Sequence, residues 1–448
     1  MIDKVREVAL KTLYKIDKEG AYSNIALDEK IKENKKILNE KDIGFISEIV
    51  YGVTTWKLTI DEIIKKYSQI KLKKISPWII NILRMGIYQI VFLDKIPKSA
   101  AVNESVNLAK RYGHRGSSNF VNAILRKVEK SDFEELKDIK DEKERVSKIT
   151  SIPLWIVEKL LEEKNIKQVE EICKNLNMKP KLTIRINTLK INKENMKKEL
   201  EERNIEYEDG ILENFLTLNK VKNIENLDLF KDGYFTIQDE AAGFTAEVLN
   251  PCKGEYVLDA CSAPGGKTTY MAEIMNDNGK IEAWDLHEHR INLINENAKR
   301  LGINIINTSV NDATKFNNKY EEKFDKILLD VPCMGIGVIK RKPDIKWQRK
   351  PEDVQEIKEI QYQILNNCSK YLKKGGELVY STCSILKEEN EEIINKFLEN
   401  NRDFKISKYE KDENNELYKY LENDKYFKVY PSEKNDGFFI CKLTKEEC

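Results

Sequence analysis

The chain has 448 residues, of which 40% are hydrophobic and 34% charged, and its formal net charge is +1. That length allows about three domains of ordinary size, and the composition excludes a disordered, collagenous or membrane-embedded chain. The near-neutral total hides an asymmetry. Residues 1–130 hold 25 Lys/Arg against 15 Asp/Glu, a balance of +10, so the rest carries −9. A charge excess confined to one end predicts that this end meets a polyanion.

The first ten residues include Asp3, Lys4, Arg6 and Glu7, so they lack the apolar stretch of a secretory signal. Val5, Val8, Ala9, Leu13 and Ile16 recur at helical spacing, and Ser23, Ser76 and Ser99 stand where helix N-caps are expected. The most apolar run, residues 78–93, is interrupted by Asn81, Arg84 and Gln89. It is too short to span a bilayer, which predicts a buried helix and no membrane partner. An all-α domain is expected over 1–130 and a charged helical connector over 131–178. After Pro180 the pattern changes: Leu182, Ile184 and Ile186 alternate with polar residues as in a strand. A helix over 193–203 and strands near 205–207 and 215–218 complete a small α/β, RRM-like module over 179–230. From Gln238 onward, apolar runs at 256–259, 280–284, 308–310, 326–329 and 377–380 are separated by helical stretches. That alternation predicts a doubly wound, mostly parallel sheet over 231–448, whose ligands bind at the carboxyl ends of its strands.

The first of these strands runs into Cys261-Ser262-Ala263-Pro264-Gly265-Gly266-Lys267 before a helix begins. Paired glycines there let the backbone approach a ligand, and a helix start offers unpaired N–H donors. The spacing fits neither the GxGxxG dinucleotide fingerprint nor a Walker loop. Asp285, twenty residues beyond Gly265, closes the second strand, where a carboxylate can accept both hydroxyls of a ribose. Asp312 closes the third, in reach of an adenine amino group, and Asp330 closes the fourth. No phosphate-binding lysine pattern accompanies these acids. A nucleoside is therefore expected, and the adenosyl part of S-adenosylmethionine fits.

Eight cysteines lie at 173, 252, 261, 333, 368, 383, 441 and 448, with no CxxC pair and only three histidines. No zinc site is expected, and free thiols of a reducing cytoplasm are the default, each a small buried hydrophobe. Two of them depart from that default by position. Cys333 follows the fourth strand and Cys383 the fifth, so adjacent strand ends bring both thiols into one cleft. Carbon 5 of cytosine is a poor nucleophile, and a thiolate added at carbon 6 makes it enamine-like and able to take a methyl group. Position alone leaves open which of the two thiols attacks.

These segments resemble the RNA cytosine-5 methyltransferases of the Sun/RsmB (Fmu) family along nearly the whole chain. The resemblance rests on Arg185-Ile186-Asn187, Gln238-Asp239-Glu240, Ala263 to Lys267, Asp330 with Pro332-Cys333, Lys342 to Trp347, Thr382-Cys383-Ser384 and Asp436-Gly437-Phe438-Phe439. The basic helical end looks like a NusB-type RNA-binding domain. The resemblance implies transfer of a methyl group from S-adenosylmethionine to carbon 5 of a cytosine in 16S ribosomal RNA. Cys383 would be the nucleophile, Cys333 would assist release of the methylated base, and Asp330 would contact the cytosine edge. Residues Cys261 to Lys267 with Asp285, Asp312 and Asp330 would bind the cofactor. Arg185 and the basic run Lys340, Arg341, Lys342, Lys346, Arg349 and Lys350 are expected at RNA phosphates. Departures lie at Val331 and Met334, where small residues are common, and at Cys261-Ser262, where Ala-Ala is frequent. A cytoplasmic monomer is expected. Transfer RNA, another ribosomal cytosine, or a non-catalytic assembly or antitermination role are the competing readings.

Overall fold

The computed structural model describes residues 3–221, 223–409 and 416–447; Cys448 lies outside them. The chain divides into two units, Met1–Met178 with Ile339–Arg349, and Lys179–Val338 with Lys350–Cys448. Among the described residues no helix is long and apolar enough to cross a membrane.

The first unit is helical, and several of its helices start where a side-chain oxygen meets unpaired N–H groups. Asp3 accepts from the amides of Val5 and Arg6 ahead of Lys4–Glu19, and Asn39 forms a capping box with Asp42 ahead of Glu40–Thr55. Ser76 caps Pro77–Phe92, with Pro77 in the first turn as expected. The other two expected caps differ. Ser23 is the first residue inside the helix Ser23–Glu33, one position past its cap at Tyr22, and its hydroxyl donates to Asp344 at 2.8 Å. Ser99 lies within the first turn of Lys98–Tyr112.

Helix Pro77–Phe92 is the buried centre of this unit, enclosed from Ile79 to Ile90. Its polar interruptions are all paired. Arg84 reaches Asp61 with two contacts of 2.8 Å and Asp17 at 2.6 Å, and Gln89 accepts from Arg6 at 2.7 Å while donating to the Met85 carbonyl at 2.8 Å. Such pairing is the condition on which polar groups are buried. The crossing with Glu40–Thr55 is close because Gly52 faces the Tyr88 ring, which any added Cβ would strike.

The second unit holds two sheets. The smaller joins β1 (Leu182–Ile186), β2 (Glu206–Asp209), β3 (Phe215–Asn219) and β4 (Phe235–Ile237) in the order β2-β3-β1-β4, all antiparallel. One face packs Ile184, Ile186, Leu216 and Leu218 against Met196 and Leu200 of the helix Lys193–Glu202. The alternation seen in the sequence suggested an open second face on β1. Instead Thr183 and Arg185 are buried too, because Arg185 meets the helix Gly266–Ile274. Strand β4 has no counterpart in the sequence reading; three residues are too few to show a period.

The larger sheet contains β5 (Tyr256–Asp259), β6 (Lys280–Asp285), β7 (Ile306–Val310), β8 (Phe324–Asp330) and β9 (Leu372–Thr382), all parallel, in the order β7-β6-β5-β8-β9. The order reverses at β5, so the crevice at a topological switch point opens above its carboxyl end. Beyond β9 the sheet turns antiparallel. Strand β13 (Phe438–Lys445) pairs with β9, flanked by β10 (Phe404–Ile406) on one edge and by β12 (Tyr426–Val429) with β11 (Leu421–Glu422) on another. The register sets Phe439 against Thr382, so a second strand backs the end of β9 that leads to Cys383.

Candidate active site

The strand order lays the expected residues along one edge: Cys383 beyond β9, Asp330 and Cys333 beyond β8, the glycine loop beyond β5, Asp285 at the end of β6, and Asp312 two residues past β7. Asp330 stands opposite Ser381 in the β8–β9 register. The sulfur atoms of Cys333 and Cys383 approach to 2.8 Å. Asp330 accepts from the Lys267 ammonium at 2.7 Å and from the Ser381 hydroxyl at 2.9 Å. A line of polar contacts thus runs from the glycine loop to the turn that bears the thiols.

Each group is tuned by what surrounds it. The Cys333 thiol is pushed well above its ordinary value, first by its hydrogen bond with Cys383 and then by burial. Burial would push Lys267 down, but the Asp330 carboxylate outweighs it and the net shift is upward. The Lys267 ammonium also sits 5.0 Å from the centre of the Phe438 ring. Asp259, at the floor of the loop, is raised to about 7, chiefly by burial and further by the charge of Asp330, while the Thr268 hydroxyl opposes the shift. One of its carboxylate oxygens accepts from Thr268 at 2.7 Å, and the other meets no side-chain or backbone donor within hydrogen-bond geometry among the described residues.

The loop is held from three sides. Gly265 has a φ of 99° and its α-carbon faces Ile294, whose own Cα would lie 3.2 Å from an added Cβ. Only glycine suits both demands. Ser262 uses its amide and its hydroxyl on the Trp284 carbonyl, each at 2.8 Å, so this hydroxyl serves the loop itself. The carbonyls of Ala263 and Pro264 accept from Arg290 and Asn297. Cys261 packs against the core, and burial raises its thiol well above the ordinary value.

Asp285 is buried, accepts from the His287 amide at 3.2 Å and pairs with Arg290 at 3.2 Å. Asp312 is held below the usual carboxylate range, first by the Thr314 hydroxyl at 2.6 Å. Beside these acids stand two apolar side chains that the sequence reading missed: Leu286, 55% exposed, and Val310, 52% exposed. Their signal was available, since both neighbour a strand-terminal acid. The donor set suits a nucleoside, with carboxylates for hydroxyl and amino groups, apolar side chains for a flat ring and a glycine-lined backbone. It offers nothing shaped for a phosphate chain.

The expected RNA contacts fare differently. Arg185 is fully buried and forms a fork on Glu273 at 2.8 and 3.0 Å, with further bonds to Thr269 and the Gly266 carbonyl. Its guanidinium is occupied in joining the small sheet to the helix after the glycine loop, and no phosphate can reach it. Lys346 is 2% exposed and donates to the Thr55 carbonyl and the Asn177 side chain at 2.7 and 2.9 Å. Both expectations are corrected: these cations belong to the interior. Lys340 is buried as well, Arg341 and Arg349 are half-buried, and Lys342 and Lys350 are exposed. Lys340 to Arg349 lie in the first unit, whereas the thiols lie in the second.

Comparison with known proteins agrees with this arrangement. A family described as 16S rRNA methyltransferase RsmB/F matches residues 246–444, the NusB family residues 3–130, and a ferredoxin-like domain of RsmF/B-like methyltransferases residues 152–225. The probable ribosomal RNA small subunit methyltransferase B of Bacillus subtilis is 38% identical over 445 residues, covering 99% of each chain. The chain belongs to the RsmB/F family of 16S rRNA methyltransferases. A ribosomal RNA small subunit methyltransferase B from Shewanella oneidensis is 32% identical over 406 residues, 90% of this chain and 91% of its own. Among solved structures, that of PH0851 superposes with a TM-score of 0.82 at 27% identity, covering 99% of this chain and all of its own. A methyltransferase homolog from Pyrococcus horikoshii gives 0.60 at 27% identity over 68% of this chain and all of its own. The fold is thus a NusB-like helical domain, a ferredoxin-like module and a methyltransferase domain with a mostly parallel sheet. As a member of this family the chain is an S-adenosylmethionine-dependent ribosomal RNA methyltransferase.

Proposed function

We propose that this RsmB/F methyltransferase methylates carbon 5 of a cytosine in 16S ribosomal RNA through a covalent bond between Cys383 and carbon 6 of the base. The observation that carries the reading is the pair of sulfur atoms 2.8 Å apart at neighbouring strand ends beside Asp330. When bound, S-adenosylmethionine supplies an electrophilic methyl group. Leu286, Val310, Asp285 and Asp312 hold its nucleoside, and the backbone of residues 261–267 lines the remainder.

The chain's own residues then divide the work. Cys383, in the Thr-Cys-Ser context that the family resemblance marks for the nucleophile, attacks the base, and Cys333, in the Pro-Cys context beside it, serves release. Addition of the Cys383 thiolate to carbon 6 moves electron density onto carbon 5, and Asp330 binds the Watson–Crick edge of the base in that state. Once carbon 5 carries the methyl group, its proton must leave before the carbon–sulfur bond breaks. Cys333, next to the sulfur that departs, takes that proton in its thiolate form, and Cys383 leaves as a thiolate when the carbon–sulfur bond breaks. Lys267 holds Asp330 in place at 2.7 Å. The target base must be extruded or already single-stranded to enter, and the basic NusB-like domain binds the surrounding RNA. The test is a methyl-transfer assay on small-subunit RNA, with the modified nucleotide mapped. Methylation at carbon 5 of one cytosine is expected; methylation at another atom would overturn the reading.

A further inference from the structure

We propose that Glu389 is a positioning residue for the thiol pair, its carboxylate tying the loop of Cys333 to the loop of Cys383. The inference rests on the reading of these cysteines as the reacting groups. Glu389 ends the short turn Lys387–Glu389 before the helix Glu391–Asn400, and it is fully buried. One of its oxygens accepts from the Met334 amide at 2.8 Å and from the Gln361 side chain at 3.0 Å; the other accepts from the Ser384 hydroxyl. Gln361, on the helix Asp353–Cys368, also donates to the Pro332 carbonyl at 2.9 Å. The next residue continues the pattern. Asn390 accepts from the Thr382 hydroxyl at 2.6 Å and donates to the Ser384 carbonyl at 3.1 Å. The Tyr380 hydroxyl donates to the Glu389 carbonyl at 2.6 Å and ties the turn back to β9.

Each cysteine is therefore flanked on both sides by residues fastened to one buried network, Pro332 and Met334 around Cys333, Thr382 and Ser384 around Cys383. The chemistry of the tie explains its residue type. A backbone N–H, an amide NH₂ and a hydroxyl all point at Glu389, and a carboxylate accepts from all three without offering a proton. Bonds to an ionised acceptor are about twice as strong as neutral ones, more so away from water. Removing the tie lets two loops drift that must hold their sulfur atoms at one separation. The charge has a second effect, since it adds to the opposition that Cys333 meets on ionising. Glu389 thus fixes where the thiols stand and adds its charge to the surroundings of Cys333.

The experiment uses the full chain with small-subunit RNA carrying 5-fluorocytosine, whose carbon 5 has no proton to lose and so retains the covalent adduct. The unaltered protein must first trap this RNA. If it does not, the reading of the thiols fails, and this inference with it. If it does, Glu389→Ala is expected to lower kcat on the order of 10²-fold, as an ångström of misplacement does, with KM for RNA and cofactor within about threefold. Ser384→Ala cuts the tie on the Cys383 side alone and is expected to cost about tenfold, the worth of one charge-assisted hydrogen bond. Glu389→Gln can still accept from Met334 and Gln361 and donate to the Ser384 hydroxyl, so it is expected to recover most of the activity. Alkylation of Cys333 by iodoacetamide should nevertheless shift to lower pH in that variant, which a purely structural role would not produce. Should the alanine variant fail to fold, Ser384→Ala and Glu389→Gln decide the matter. Trapping and turnover like the unaltered protein in Ser384→Ala, with an unmoved Cys333 profile in Glu389→Gln, would overturn the inference.

Discussion

Lys267, half-buried in one unit, and Lys346, buried in the other, have opposite fates. Lys267 follows the glycine loop and faces the Asp330 carboxylate at 2.7 Å, so its proton is held more tightly than usual despite burial. Lys346 lies in the segment Ile339–Arg349 among neutral acceptors, the Thr55 carbonyl and the Asn177 side chain, and burial lowers it to about 7. The first keeps its charge beside Asp330, while the second can shed it. What separates a site lysine from an interior one is the partner, not the depth.

The sharpest way to test the active side of that contrast is at sulfur. Cys383→Ala should lower methyl transfer by about 10⁴-fold or more, the order of loss when a nucleophile is removed; full activity would hand the role to Cys333. Cys333→Ala should slow turnover by roughly 10³-fold, in the range of a lost acid–base group, while an RNA adduct builds up and survives denaturant on a gel. A variant equally slow but without adduct would break the assignment of release to Cys333. Lys267→Met should cost about 10²-fold in kcat, because the charge of Asp330 is left unpaired in a confined site. Lys267→Arg, which keeps the charge, should recover part of that loss.

The active edge was legible in the sequence because its signals are local. A glycine pair between strand and helix, acids at the ends of apolar runs and cysteines just beyond two of them are each visible within ten residues. The strand order then follows from chain alternation, and it brought Cys333 beside Cys383 as expected. What stayed hidden depends on distant partners. Arg185 sits at a polar position of an alternating strand, which reads as solvent-facing, and only the helix that carries Glu273, 88 residues away, turns that face into an interior. Glu389 reads as one more acid in a charged stretch of Lys, Glu and Asn. Nothing nearby announces that Met334 and Gln361 will converge on it. The antiparallel strands β10 to β13 were missed for a related reason, since short edge strands show too little period to be told from loop.

The smallest effect probes the interior lysine. For Lys346 the folded value near 7 lies below the ordinary 10.5, so between those limits the unfolded chain binds more protons than the folded one. Stability must then rise as pH climbs from about 7 toward 10, and stay level in this respect below 7, where both states carry the charge. The rise has a ceiling of about 5 kcal/mol, at about 1.4 kcal/mol for each pH unit between those limits, less whatever the surroundings relax. Lys346→Met should remove it, giving an unfolding midpoint that no longer increases across this window, with kcat within about threefold of the unaltered protein because no reacting group is touched. A methionine variant that kept the slope would show that another group titrates there. One that lost activity as far as Lys267→Met would erase the distinction between the two lysines, and would place the segment Ile339–Arg349 in the catalytic apparatus after all.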